Sequence, residues 1–383
     1  MTGKLFDSGD LIYDGQARTG LLRFTRPSGP LLISTPVFMP VGTRATVKAL
    51  WHRELEEMGY DLILANTYHL FLRPGHETIA ALGGLHDFQG WSDHAILTDS
   101  GGYQVFSLAD RVRFFDEGVE FQSHVDGARH LFTPELVLDV QCAFGSDIMM
   151  MLDDCPPADA DRVRLQEALR RTHLWCDRVI EHRRQRIESG AFDQKRQSLF
   201  GIFQGGLDRE LRERSMDYIA ARPFDGIAIG GLSVGESRPE LHAMLEWLGS
   251  RMDPERPRYL MGVGTVPDIL EAVRAGVDMF DCVLPTRNAR NGQFLTGLGK
   301  RNVRNARFAR SDEPPDPECT CPVCARYSLG YIRHLFSVGE MLGPMLATHH
   351  NLHFFSHFME ALRAAIKAGE YEPFYERWKK IPF

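Results

Sequence analysis

Four short stretches hold side chains whose types and spacing could do chemistry. "ILTDSGG" (residues 96–102), "MLDDC" (151–155) and "FDCVL" (280–284) each place a carboxylate or two at the end of an apolar run. Paired carboxylates that converge can split a reaction between a nucleophile and an acid/base. "ECTCPVC" (318–324) puts Cys319, Cys321 and Cys324 into six positions. Thiolates at C-x-C-x-x-C spacing can close round one ion, and tetrahedral zinc then wants a fourth ligand. His349 and His350 of "THHNLHFF" both offer it. A Cys₃His set leaves no position for water, so the spacing predicts one structural ion per chain rather than a catalytic one.

The chain has 383 residues, 43% apolar and 25% charged, the make-up of an ordinary globular protein. Seven cysteines, an odd number, fit reduced thiols better than a disulfide framework. No apolar run approaches the ~20 residues of a membrane span, and "MTGKLFDSGD" lacks the apolar region of a secretion signal, so a cytoplasmic location is expected. The net charge of −7 argues against a general polyanion binder. Between Arg287 and Arg310, however, stand Arg287, Arg290, Lys300, Arg301, Arg304, Arg307 and Arg310 with no acid among them, a pattern suited to phosphates.

Eight apolar runs bounded by Gly, Pro or Asp must position these groups: 35–43, 61–67, 95–102, 147–154, 199–206, 226–232, 259–265 and 279–286. Most are apolar throughout, as strands buried on both faces are, and most precede a helical pattern such as "PELVLDVQCAFG" or "PDILEAVRAGV". The expected fold is α/β, a (β/α)₈ barrel over 1–299, with a doubly wound sheet as the other option. A β-hairpin insertion is expected at about 103–133, turning at Asp126-Gly127. A metal-binding subdomain is expected at 300–351 and a closing amphipathic helix within 352–383. Barrel active sites sit at the C-terminal strand ends, so Asn66, Asp99, Ser100, Asp153, Asp154, Gln204, Gly230, Gly231, Gly264 and Asp281 become candidates.

Taken in order, "TDSGGYQVFSL", "FQGG", "AIGGLSVGE", "YLMGVGT", "DMFDCVLPTRNARNGQ", "NVRNARF" and the cysteine cluster with its distant His-Asn-Leu resemble the bacterial tRNA-guanine transglycosylases, from about residue 15 to about 370. That resemblance implies a (β/α)₈ barrel with a zinc subdomain, exchanging guanine for preQ1 at the wobble position of G-U-N tRNAs on the way to queuosine. It implies Asp281 as nucleophile and Asp99 as general acid/base. It also implies base contacts from Asp153, Gln204, Gly231 and Leu232, stacking between Tyr103 and Met261, and a loop steadied by Glu236. Arg287, Asn288 and Arg290 would meet the anticodon arm. Zn²⁺ would be held by Cys319, Cys321, Cys324 and His350, and the chain would pair as a homodimer. Cys155 and Val234 match members that use preQ1 rather than the bulkier queuine. Asp154 departs from the pattern, since relatives often carry Glu there.

Two other readings exist. A nucleic-acid zinc deaminase needs an H-x-E element, which "HRE" (52–54) supplies, but also P-C-x-x-C, which the cluster does not match. A non-catalytic RNA-binding subunit would not need both Asp99 and Asp281.

Overall fold

In a computed structural model the eight apolar runs become eight parallel strands: β1 Val37–Pro40, β2 Leu62–Ala65, β3 Ala95–Thr98, β4 Ile148–Met150, β5 Ser198–Phe203, β6 Gly226–Ile229, β7 Arg258–Leu260 and β8 Met279–Cys282. The structure describes residues 5–108 and 110–383; the first four positions of the N-terminal segment, and position 109 of the expected insertion, lie outside the described residues. The strands follow the order β1-β8-β7-β6-β5-β4-β3-β2, and a parallel bridge between Val41 and Leu64 joins the two ends into a closed barrel. Nearly every strand residue is buried, because side chains fill the barrel inside and helices cover it outside. Each strand is shorter than its apolar run. The run's last residues leave the ladder and form the loops at the C-terminal rim, where the candidates sit.

A sheet absent from the sequence-based expectation covers the opposite end. Strands Ile12–Asp14, Ala17–Arg26 and Gly29–Thr35 pair antiparallel across the barrel floor. Two arginines pin it: Arg18 meets Asp278 at 2.5 Å just before β8, and Arg26 meets Asp147 at 2.5 Å just before β4, all four side chains buried. Arg18 also donates to the carbonyls of Pro254 and Arg256 (both 2.8 Å), which offsets the cost of burying its charge.

The insertion after β3 begins with a helix, Gly102–Leu108, before a sheet of three strands, Asp110–Phe114, Val119–Gln122 and Arg129–Phe132. It is therefore a helix and a three-stranded sheet where a hairpin was expected; a third strand was within reach because the segment alternates along its whole length. After β8 come a helix Leu284–Arg290, a hairpin Gln293–Thr296 with Gly299–Asn302, and helices Pro322–Arg326 and Leu329–Val338 round a small apolar core. One 27-residue helix, Leu342–Ala368, then runs through position 351, so its first half packs on that small core and its second half on the barrel; a further helix, Tyr371–Lys379, ends the chain.

Candidate active site

A cavity of 490 Å³ opens at the C-terminal rim, and most of the sequence candidates meet in it. Asp99, Ser100 and Tyr103 follow β3, Asp153 and Cys155 follow β4, and Gly230 to Val234 follow β6; Met261 follows β7, Asp281 lies within β8, and Arg287 stands on the next helix. Gln204, Glu236 and Asn288 stand behind this lining and bond to it or to its neighbours, and Arg290 stands on the same helix as Arg287.

Three carboxylates share the space. Asp281 accepts at Oδ1 from the Tyr259 hydroxyl (2.6 Å) and the Gly262 N–H (2.7 Å), while Oδ2 accepts no bond among the described residues. Burial raises its pKa from the ordinary value, and those two bonds oppose the shift. Asp99 accepts from the Asn66 amide and the Thr67 N–H (2.8 Å). Its pKa is pushed up to about 6, chiefly by burial, with the Asp281 charge adding to the shift and both hydrogen bonds opposing it. Asp153 accepts from Ser100 Oγ (3.2 Å) and Gln204 Nε2 (2.6 Å), and burial pushes it also to about 6.

Asp154 turns away from the cavity. Successive side chains of an extended segment point to opposite sides, and Asp154 is buried against Arg164 (2.5 and 3.0 Å) and Arg171. Among the candidates at the rim, it is the one the structure reassigns to holding a helix, Arg162–Glu188, on the barrel.

The Gly230-Gly231 turn is shaped by its neighbours. Gly231 has φ +61°, and a Cβ there would stand 2.2 Å from Gln204 Oε1, so only glycine fits. Gln204 Oε1 is buried and has no partner among the described residues. Next along, Glu236 accepts from the N–H groups of Ser233 and Val234 (3.0 Å for the second). Because the peptide unit is planar and trans, the Leu232 carbonyl points opposite to the Ser233 N–H, away from Glu236. Tyr103, 47% exposed at the mouth, follows β3, and Met261 follows β7, four strands away round an eight-stranded ring. The two side chains therefore stand on opposite sides of the cavity.

Three contributors escaped the sequence reading. Tyr259 was read only as part of an apolar strand, although a buried phenol usually has a partner. Thr67 acts through its backbone. Arg212, wholly buried, donates to the carbonyls of Gly206 (2.7 Å), Gly230 (2.6 Å) and Gly231 (2.8 Å). Its place on the buried stripe Leu211, Arg212, Ser215, Met216, Ile219 was the available signal, hidden by the charged look of "RELRERS".

The cysteine cluster lies beside this rim. The ligand atoms of Cys319, Cys321, Cys324 and His350 all lie within 4.8 Å of one another. A tetrahedral zinc with bonds near 2.3 Å to sulfur needs sulfur atoms about 3.8 Å apart, so the group fits such an ion. His350 Nε2 donates to the Leu295 carbonyl at 2.7 Å, which leaves Nδ1 facing the thiols, 3.2 Å from Cys324 Sγ and 3.5 Å from Cys321 Sγ. His349, one position earlier and about 100° round the helix, meets Glu54 Oε1 at 3.2 Å. The deaminase reading needs the histidine of "HRE" as a metal ligand, and His52 instead packs on Trp91, ring centroids 5.3 Å apart, and is not part of the Cys₃His group. Next to the cluster, Asn351 donates to the carbonyls of Pro285 and Gln293 (3.0 Å each) and accepts from Leu295 N–H (2.9 Å).

The basic stretch divides. Arg287 is exposed at the cavity edge, and Arg304, Arg307 and Arg310 are exposed beyond it. Arg301 instead pairs with Glu313 (3.2 Å) and donates to the carbonyls of Pro314 and Pro315, and Arg304 Nε donates to Asn291 O (3.0 Å). Arg290 is half-buried, and Asn288 donates to Gln293 Oε1 (3.0 Å).

Compared with known proteins, the family model described as queuine tRNA-ribosyltransferase matches residues 14–381. A protein of Leptospira biflexa named queuine tRNA-ribosyltransferase is 52% identical over 375 residues, covering 97% of each chain. Proteins of the same name from Sphingopyxis alaskensis and Sorangium cellulosum are 50% and 49% identical, covering 94% and 97% of this chain and 94% and 91% of their own.

Proposed function

The chain belongs to the queuine tRNA-ribosyltransferase family, whose members are pentosyltransferases, and from that premise we propose that it exchanges guanine 34 of G-U-N tRNAs for preQ1 by two displacements at the ribose C1′. The observation that carries this reading is the arrangement of Asp281: one oxygen is held by Tyr259 and Gly262, the other accepts no bond among the described residues, and Asp99 and Asp153 share the cavity.

In the first displacement Asp281 Oδ2 attacks C1′, the C1′–N9 bond breaks, and its electron pair leaves on guanine. Asp99, with a pKa near 6, supplies the proton that neutralises the departing base. In the second, preQ1 gives its ring N–H proton to Asp99, its nitrogen attacks C1′, and the ester bond to Asp281 breaks. Each displacement inverts the carbon, so the product keeps the original configuration. Getting the base out of the RNA stack costs a few kcal/mol, which stacking between Tyr103 and Met261 offsets. Asp153 and Gln204 Oε1 take the donors of the purine edge, together with the Gly231 and Leu232 backbone. The Leu232 carbonyl, held in place through Glu236, meets the aminomethyl group of preQ1.

We assign Arg287, Asn288 and Arg290 to the anticodon-arm phosphates, because Arg287 lines the cavity and the other two share its helix. We assign Zn²⁺ to Cys319, Cys321, Cys324 and His350; when bound it cross-links the segment after β8 to the long helix and takes no part in the exchange. The working form is a cytoplasmic homodimer. Among the described residues no helix is long and apolar enough to cross a membrane.

The test is exchange of radiolabelled guanine into unmodified tRNA of G-U-N anticodon, with a covalent RNA adduct sought on a denaturing gel. Wild type gives both, and Asp281→Asn gives neither, because an amide is too weak a nucleophile. An adduct that survives Asp281→Asn and vanishes with Asp99→Asn would reverse the two roles.

A further inference from the structure

We propose that His353 and His357 form a second, solvent-facing site for a divalent transition-metal ion, beside the Cys₃His cluster. The two histidines stand four residues apart on the helix Leu342–Ala368, the spacing at which helical imidazoles bind one ion from one face. Their rings already lie side by side, with centroids 4.2 Å apart and planes inclined by 27°. His357 is exposed and His353 half-buried, on the stripe of this helix that faces solvent.

A second contact prepares His353 for the task. Its Nδ1 faces Cys319 Sγ at 3.7 Å, so the opposite nitrogen, Nε2, points away from the cluster. Metal-binding histidines are commonly held in this way, one nitrogen bonded to a neighbour and the other left for the ion. Cys319 is half-buried where Cys321 and Cys324 are buried, so His353 covers the open edge of the cluster. Glu360, three residues beyond His357 and exposed, adds a carboxylate to the same stripe. Two imidazoles with water completing the shell suit Zn²⁺, Ni²⁺ or Co²⁺, and such a site exchanges its ion far more readily than a closed set of three thiolates and a histidine.

Protein carrying its one tightly held ion, titrated calorimetrically with Ni²⁺ and Co²⁺, should take up one further equivalent. His357→Ala should weaken that uptake at least tenfold, and His353→Gln likewise, while His357→Ala keeps the tight ion. His334→Ala, a change at an exposed histidine on another helix, should leave uptake as in wild type. The added Co²⁺ should give weak visible bands without the near-ultraviolet absorption of thiolate ligation. The proposal is overturned if wild type takes up no further ion, if His357→Ala binds like wild type, or if the added cobalt shows thiolate absorption.

Discussion

Asp99 and Asp153 each carry a pKa near 6 because burial disfavours their charge more than their hydrogen bonds favour it. The folded state then binds more protons than the unfolded chain between about pH 4 and 6, so these two groups lower stability as pH rises through that window. Replacing one of them should flatten the fall relative to wild type, by up to about 3 kcal/mol for a two-unit shift. Urea denaturation of wild type and Asp153→Asn at pH 4.5 and 6.5 measures this; equal differences at both pH values would refute it. Asp153→Asn should fold well, because the Gln204 amide can turn and offer its unpartnered Oε1 to the new N–H₂. On the proposed function the same variant loses a charged acceptor for the base, worth about 1.5–3 kcal/mol, and should raise the KM for guanine by about 10- to 100-fold. At this scale the sequence was legible where chemistry forces a residue type, as in Asp99, Asp153, Asp281 and the three cysteines. It was illegible where a group acts through shape or backbone, as do Thr67 N–H and the Arg212 guanidinium behind the Gly230-Gly231 turn.

On the proposed function, the loop from Gly230 to Glu236 and the helix Leu284–Arg290 are the elements that would decide what enters and what is held. Val234 and Cys155 both line the cavity, and on the proposed function they would crowd a base larger than preQ1. Overpacking of that kind costs about 1–3 kcal/mol. Wild type should therefore exchange guanine for preQ1 efficiently and for queuine poorly, and Val234→Gly should recover part of the queuine rate; equal wild-type rates on one tRNA would remove the steric account. The basic stretch predicts a split outcome now that its contacts are known. Neutralising Arg287 and Arg290 together should flatten the salt dependence of tRNA binding by up to about two phosphate equivalents. Arg301→Ala should instead cost about 1–2 kcal/mol of stability through the lost bonds to Glu313 and the two proline carbonyls, with the salt slope little changed. Charge sign was readable from the sequence, but which of the arginines are taken up by the fold was not, because that depends on which carbonyls come within reach. Strand existence was likewise clear from the apolar runs, whereas the floor sheet went unread because its strands alternate weakly and bury much of their surface only against a barrel made later in the chain.

Over the whole molecule, the helix Leu342–Ala368 joins two cores that the sequence reading had divided near position 351. Removing the bound metal, or making Cys319→Ser or His350→Ala, should therefore loosen more than the small subdomain. One zinc per chain is expected by metal analysis, and its loss should lower the melting temperature and the amide protection of residues 352–366 as well; protection unchanged there would mean the barrel half of the helix stands alone. At the other end, the N-terminal sheet with its Arg18–Asp278 and Arg26–Asp147 pairs seals the barrel floor. Because side chains fill the barrel beneath it, the cavity among the described residues opens at the C-terminal rim, and in the proposed reaction the ribose of residue 34 occupies that doorway. Outgoing guanine and incoming preQ1 must use it in turn, past a strand of RNA that is tethered through Asp281 and cannot step aside. The sequence of traffic follows from the architecture: RNA arrives first and departs last, and one base leaves before the other is admitted. Initial-rate plots for tRNA at several preQ1 concentrations should accordingly run parallel, with free guanine competing against preQ1 and not against tRNA.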